Sequence, residues 1–74
     1  MAYMIDYSTF TEEALEARLV DLRQDHADLD AAIQALAAGA VPDLTVIGRL
    51  KRKKLALKDE MARIEEFLNP DIIA

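Results

Sequence analysis

Apolar residues recur along the chain in two runs, each advancing by alternating steps of three and four residues. The first run is Leu15, Leu19, Leu22, His26, Leu29, Ile33 and Leu36; the second is Ile47, Leu50, Lys54, Leu57, Met61, Ile64 and Leu68. Such steps keep the side chains on one side of an α-helix, so each run predicts a helix with an apolar seam interrupted once by a polar residue. Thr9, with Glu12 three residues later, fits a capping box at the start of the first helix. Glu12 and Glu13 also suit the positive end of that helix dipole. Gly39 predicts its stop, Val41-Pro42 favours extended backbone, and Asp43 suits the cap of the second helix, which Asn69-Pro70 ends.

The resulting division is an apolar N-terminal tail (1–8), a helical hairpin (9–68) and a C-terminal tail (69–74). Within the hairpin the expected parts are helix 9–38, turn 39–42 and helix 43–68. So short a connection makes the helices antiparallel, and the predicted fold is all-α, a coiled-coil-like two-helix hairpin. Pairing Leu36 with Ile47 sets a ladder that runs through Ile33/Leu50, Leu29/Lys54, His26/Leu57, Leu22/Met61 and Leu19/Ile64 to Leu15/Leu68. This ladder puts Asp30 beside Lys51, but it also puts Arg23 beside Lys58 and Asp25 beside Glu60. The two like-charge contacts mean either a different register or opposite charges supplied by another chain.

A single layer of two helices is a poor independent fold, because it buries only one stripe of each helix against the entropy of ordering the whole chain. A second surface is expected to be covered, as in a four-helix bundle of two copies. Val20, Ala27, Ala31, Leu55 and Ala62 form the candidate oligomer face. Alanine is also the best helix former and fills solvent-facing positions for that reason alone; Leu55, large and off the seam, is not explained that way. The aromatics Tyr3, Tyr7, Phe10 and Phe67 gather at the end where the chain enters and leaves, with Met4, Ile5, Ile72 and Ile73. Tyr3, Ile5 and Tyr7 alternate in a short strand-like pattern. This end reads either as an apolar plug or as a docking patch.

Charge changes the picture by exclusion. The 74 residues carry a net charge of −5, with no Cys and one His. A disulfide scaffold and a zinc knuckle are excluded, and general affinity for nucleic acid or anionic membrane is opposed. With no long apolar run and no signal-like start, a cytoplasmic location is expected, with no membrane contact. The segment from Ser8 to Ala38 carries −5, whereas Asp43 to Leu68 carries +2. Arg49, Lys51, Arg52, Lys53 and Lys54, with Lys58 beyond, would suit phosphate contacts, but on a helix they point nearly all round the axis and lack interleaved aromatics. Neutralisation by Asp25, Asp28 and Asp30 across the hairpin is the simpler expectation.

His26 and Lys54 are polar seam members of the kind that fix register or oligomer state. Lys54 is expected to turn its ammonium toward Asp25 or Asp30. The ladder surrounds His26 with Leu22, Leu29, Leu57 and Met61, so it lacks the convergent polar groups of a catalytic histidine, and no enzyme activity is expected. His26 with Asp25 or Asp30 offers too few ligands for a metal, and no cofactor is expected.

Two stretches, Asp25-His26-Ala27-Asp28-Leu29-Asp30 with Ile33 following, and Leu50-Lys51-Arg52-Lys53-Lys54-Leu55-Ala56-Leu57-Lys58-Asp59-Glu60, together resemble the YdcH-like family of short bacterial helical hairpins. The resemblance covers roughly residues 15 to 64 and implies a bacterial, cytoplasmic, all-helical protein with no recognised catalytic activity. By position it carries over His26, Leu29, Asp30, Leu50, Lys51, Lys54, Leu57, Lys58 and Asp59. The aromatic start and the Ile-Ile tail depart from the family pattern. The expected function is a non-enzymatic interaction and self-association module, a dimer being favoured, with the aromatic end or the basic segment meeting partners. The alternatives are a nucleic-acid-binding accessory protein using residues 49–58, and a small subunit of a larger complex of unlike chains.

Overall fold

The computed structural model describes residues 7–70. A 3-10 turn at Tyr7–Thr9 leads into α1 (Glu12–Ala37), which is followed by α2 (Leu44–Leu68). The two helices pack against each other antiparallel, as a hairpin. The tail residues Tyr3, Met4, Ile5, Ile72 and Ile73 lie outside the described residues.

α1 begins at Glu12, three residues later than the expected start. Its N-cap is Thr11 rather than Thr9, and the Thr11 hydroxyl oxygen accepts the Ala14 N–H at 3.0 Å. Glu12 and Glu13 still occupy the first turn, where their charge favours the helix dipole. The delay has a packing cause. Thr9 is spent in the 3-10 turn, which the Phe10 N–H closes on the Tyr7 carbonyl at 3.1 Å. This turn carries the Tyr7 ring to 6.4 Å from Phe10 and 6.2 Å from Phe67. A helix running from Thr9 would forgo that aromatic cluster. Tyr7 therefore belongs to a helical turn and not to a strand-like segment.

At the other end α1 stops at Ala37, with the Ala38 N–H bonded back to the Gln34 carbonyl. Gly39 follows with negative φ, as do all the described residues, so the reversal does not use a left-handed glycine. Asp43 caps α2, its carboxylate accepting the N–H groups of Thr45 and Val46 at 3.0 and 3.2 Å. α2 closes at Asn69, whose N–H reaches the Glu65 carbonyl, with Pro70 directly after.

Six apolar side chains are buried among the described residues: Leu15, Leu19, Leu22, Ile33, Ile47 and Ile64. Leu15, Leu19, Leu22 and Ile64 form one cluster, against which Tyr7, Leu57, Met61 and Leu68 pack. Ile33 and Ile47 are buried apart from it, toward the turn. Between the two lie the half-buried His26, Leu29, Leu50 and Lys54. Leu36, expected to close the ladder opposite Ile47, is 37 % exposed.

Gly48 sits inside α2, and a Cβ built there meets only the end of the Arg52 side chain at 3.8 Å. Gly48→Ala is therefore expected to stabilise the hairpin by about 1 kcal/mol through the lower entropy of its unfolded chain. A urea titration that leaves the midpoint unchanged or lower would mean that the site needs a missing side chain.

Candidate association faces

The hairpin is a flat layer with two broad faces, and each gathers a different set of side chains. On the first, Arg18 bridges the helices: its Nε donates to Glu60 Oε2 at 3.0 Å and its Nη2 to Oε1 at 3.3 Å. The bond to Glu60, followed by the nearby carboxylates of Asp21 and Asp25, holds the guanidinium more firmly protonated than usual. One groove on this face, of about 510 Å³, has an apolar floor at Leu29, Ala56 and Leu57 with Asp25, Asp28 and Lys53 at its sides. A second, of about 470 Å³, runs from Tyr7 and Phe10 to Arg18 and Glu60.

On the opposite face Lys54 leaves the seam and donates to Asp30 Oδ1 at 2.6 Å, while Gln34 Nε2 donates to Asp30 Oδ2 at 2.9 Å. A groove of about 360 Å³ lies beside this pair, lined by His26, Lys58, Met61, Ala62 and Glu65. Helical spacing brings Val20 and Ala27 of α1 and Leu55 and Ala62 of α2 to this same side, each pair seven residues apart. Val20 is 62 % exposed and Leu55 59 %. Ala31 stands one step further round α1, toward its outer edge. Among the described residues His26 Nε2 is buried without a hydrogen-bond partner, and so is the Tyr7 hydroxyl.

The expected flank pairs are replaced. Asp30 binds Lys54 and not Lys51, and Glu60 binds Arg18 instead of lying against Asp25. Layer-by-layer pairing treats side chains as pointing straight out, whereas Arg, Lys and Glu reach along the axis over about a helical turn. The Arg18–Glu60 bridge was missed for that reason, whereas Lys54 takes Asp30, one of the two partners expected for it. Neutralisation of the basic run is also narrower than expected. Lys54 is paired, but Arg49, Lys51, Arg52, Lys53 and Lys58 are exposed and have no ion pair among the described residues. They do not converge: Lys53 flanks the first face, Lys58 the second.

Of the aromatic end, the described part is a cluster in which Tyr7 is half-buried and Phe10 and Phe67 remain exposed. Among the described residues no helix is long and apolar enough to cross a membrane.

The Lys54 hydrogen bond, aided by the ammonium charge, holds the Asp30 carboxyl below the usual carboxylate range. A depressed folded value means that the pair stabilises the hairpin above the unfolded Asp value of about 4 and loses this effect as pH falls through the folded value. The stability gap between the native chain and Asp30→Asn is expected to be widest near neutrality and to shrink on acidification. Urea midpoints measured across that range check it, and a gap independent of pH would remove the ion pair from the account.

A protein-family model described as "Protein of unknown function (DUF465)" matches residues 19–65, well over half of the chain. No curated protein and no solved structure matches it.

Proposed function

We propose that this chain, which belongs to the DUF465 family of proteins of unknown function, is a non-enzymatic helical-hairpin module that works by association, in the first place with itself. One observation carries the reading: Val20 and Leu55, both large and both about three-fifths exposed, lie on one face together with Ala27 and Ala62. Scattered apolar residues are ordinary on a protein surface, but a shared face beside a core of six buried side chains among the described residues is a surface looking for cover. Helices pack closely where small residues flank larger ones, because ridges then enter grooves. Light scattering at micromolar concentration is expected to give a mass above that of one chain. Leu55→Glu, which sets a carboxylate on this face, is expected to lower that mass. A folded wild-type monomer that persists on concentration would remove the proposal.

A second reading, nucleic-acid binding through residues 49–58, draws support from the five exposed bases that lack an ion pair. The net charge of −5 and the spread of these bases over several directions oppose it. It requires affinity that falls steeply with salt; no gel shift at low salt would end it.

A further inference from the structure

We infer that a second copy of this chain docks on the face bearing Val20 and Ala62, about a two-fold axis that lies in the interface and crosses both helices at the level of these residues. In this arrangement Glu16 and Glu65 of each copy lie against Arg23 and Lys58 of the other. The inference rests on the association reading above and supplies its occupant and geometry.

The argument starts from spacing. On α1, Val20 stands four residues after Glu16 and three before Arg23. On α2, Ala62 stands four residues after Lys58 and three before Glu65. All of these share one helical side in each helix. Because α2 runs the other way, its acid falls at the same end as the acid of α1, and its base at the same end as the base of α1. Val20 and Ala62 lie at one level, since Leu19 and Leu22 share a packed cluster with Met61 and Ile64. The face therefore carries a block of two acids, an apolar centre and a block of two bases in order along the axis. A two-fold axis through the centre superposes each acidic block on a basic one, with little dependence on the exact register of the hairpin.

These four charges also lack partners at home. Glu16, Glu65, Arg23 and Lys58 are exposed, and none makes an ion pair or hydrogen bond among the described residues. None has an opposite formal charge three or four residues away on its own helix, the spacing at which helical charges neutralise each other. Within one chain Glu16 and Glu65 stand as like charges at one end and Arg23 and Lys58 at the other. A second copy resolves both repulsions. The other face offers no such block pattern, because Arg18 is already bound to Glu60 there and Lys53 shares a groove with Asp25 and Asp28.

The axis sets α1 against α1 and α2 against α2, so that Val20 meets Val20 of the other copy while the grooves lined by Met61, Ala62 and Glu65 face each other. Because Val20 stands only eight residues after the start of α1, two copies related by this axis overlap over roughly 25 Å and cover on the order of 500 Å² each, less than the ~800 Å² per partner of a standard interface and in the range of a weak, reversible one.

The test uses two full-length charge variants, Glu16→Lys/Glu65→Lys and Arg23→Glu/Lys58→Glu, read by light scattering with circular dichroism as a check on folding. The wild type is expected to be a dimer. Each variant alone is expected to dimerise about a hundredfold more weakly, because every cross-copy attraction becomes a repulsion. Mixing the two is expected to restore a dimer, since one now carries four bases on this face and the other four acids. A dimeric wild type whose variants keep its mass, or whose mixture stays monomeric, would overturn this geometry and leave the association reading standing. A wild type that is monomeric at every concentration would remove both.

Discussion

Ile64→Ala is expected to bring the chain close to its unfolding midpoint at room temperature. Ile64 has no exposed surface and sits in the cluster that ties α1 to α2 at the open end. Its neighbours Leu15, Leu19 and Leu22 come from three successive turns of α1, so a cavity there cannot close without shifting a helix. Truncating a buried isoleucine to alanine costs about 3 kcal/mol, the lost transfer energy plus the unfilled space. A single core of this size supplies on the order of 3–5 kcal/mol in all. One side chain thus accounts for most of the margin. Far-ultraviolet circular dichroism in a urea series measures it, with Val41→Ala as the control. Val41 is 90 % exposed in the turn, and its truncation is expected to stay within about 0.5 kcal/mol. Comparable losses for the two variants would show that the cluster does not hold the hairpin.

The second large effect has the opposite sign. His26→Leu is expected to stabilise the hairpin by about 2 kcal/mol. His26 occupies a seam position, half-buried, and its Nε2 is enclosed without a partner among the described residues. An enclosed polar atom left without a hydrogen bond costs about 1–3 kcal/mol, and leucine would add apolar contact with the Met61 side of the groove that His26 lines. The unfolding midpoint should rise and its slope stay the same. A midpoint that falls would mean that the imidazole makes a stabilising interaction on this surface. The variant also probes what a costly polar seam residue provides: polar residues in apolar seams commonly fix register or copy number at the expense of stability. If His26 does so, the leucine variant gains stability but populates more than one assembled size, which light scattering resolves from the single species expected of the native chain.

These two substitutions bear on function through the same thin margin. The hairpin covers one stripe of each helix and leaves Val20 and Leu55 in solvent. Anything that binds only the folded form adds to its stability by mass action. Association is therefore expected to raise the urea midpoint with protein concentration.

The helical seams were legible in the sequence because burial and helical period are tied together. A side chain every three or four residues must share a side, and two such sides joined by a short turn have each other as nearest cover. The caps at Asp43 and Asn69 were legible for a similar reason: each acts on backbone groups within four residues of itself. The start of α1 was not, since local chemistry favours Thr9, with Glu12 three residues on, over Thr11, which has only Ala14 there. The choice fell to the aromatic cluster, in which Tyr7 meets Phe67 from the far end of the chain. Likewise Gly39 promised a left-handed stop, yet α1 ends without one.

Sequence alone determined the all-α class and the antiparallel pairing of two helices, consequences of period and of the short turn. Tertiary structure decided which charges meet, choosing Asp30 over Asp25 for Lys54 and bringing Arg18 to Glu60. Arg18 reaches Glu60 and Lys54 reaches Asp30 because the axial offset of the helices and the reach of long side chains set those distances. Neither is written in the order of residues along one helix. The same packing places Val20 level with Ala62, on a surface that exists only once the two helices lie side by side.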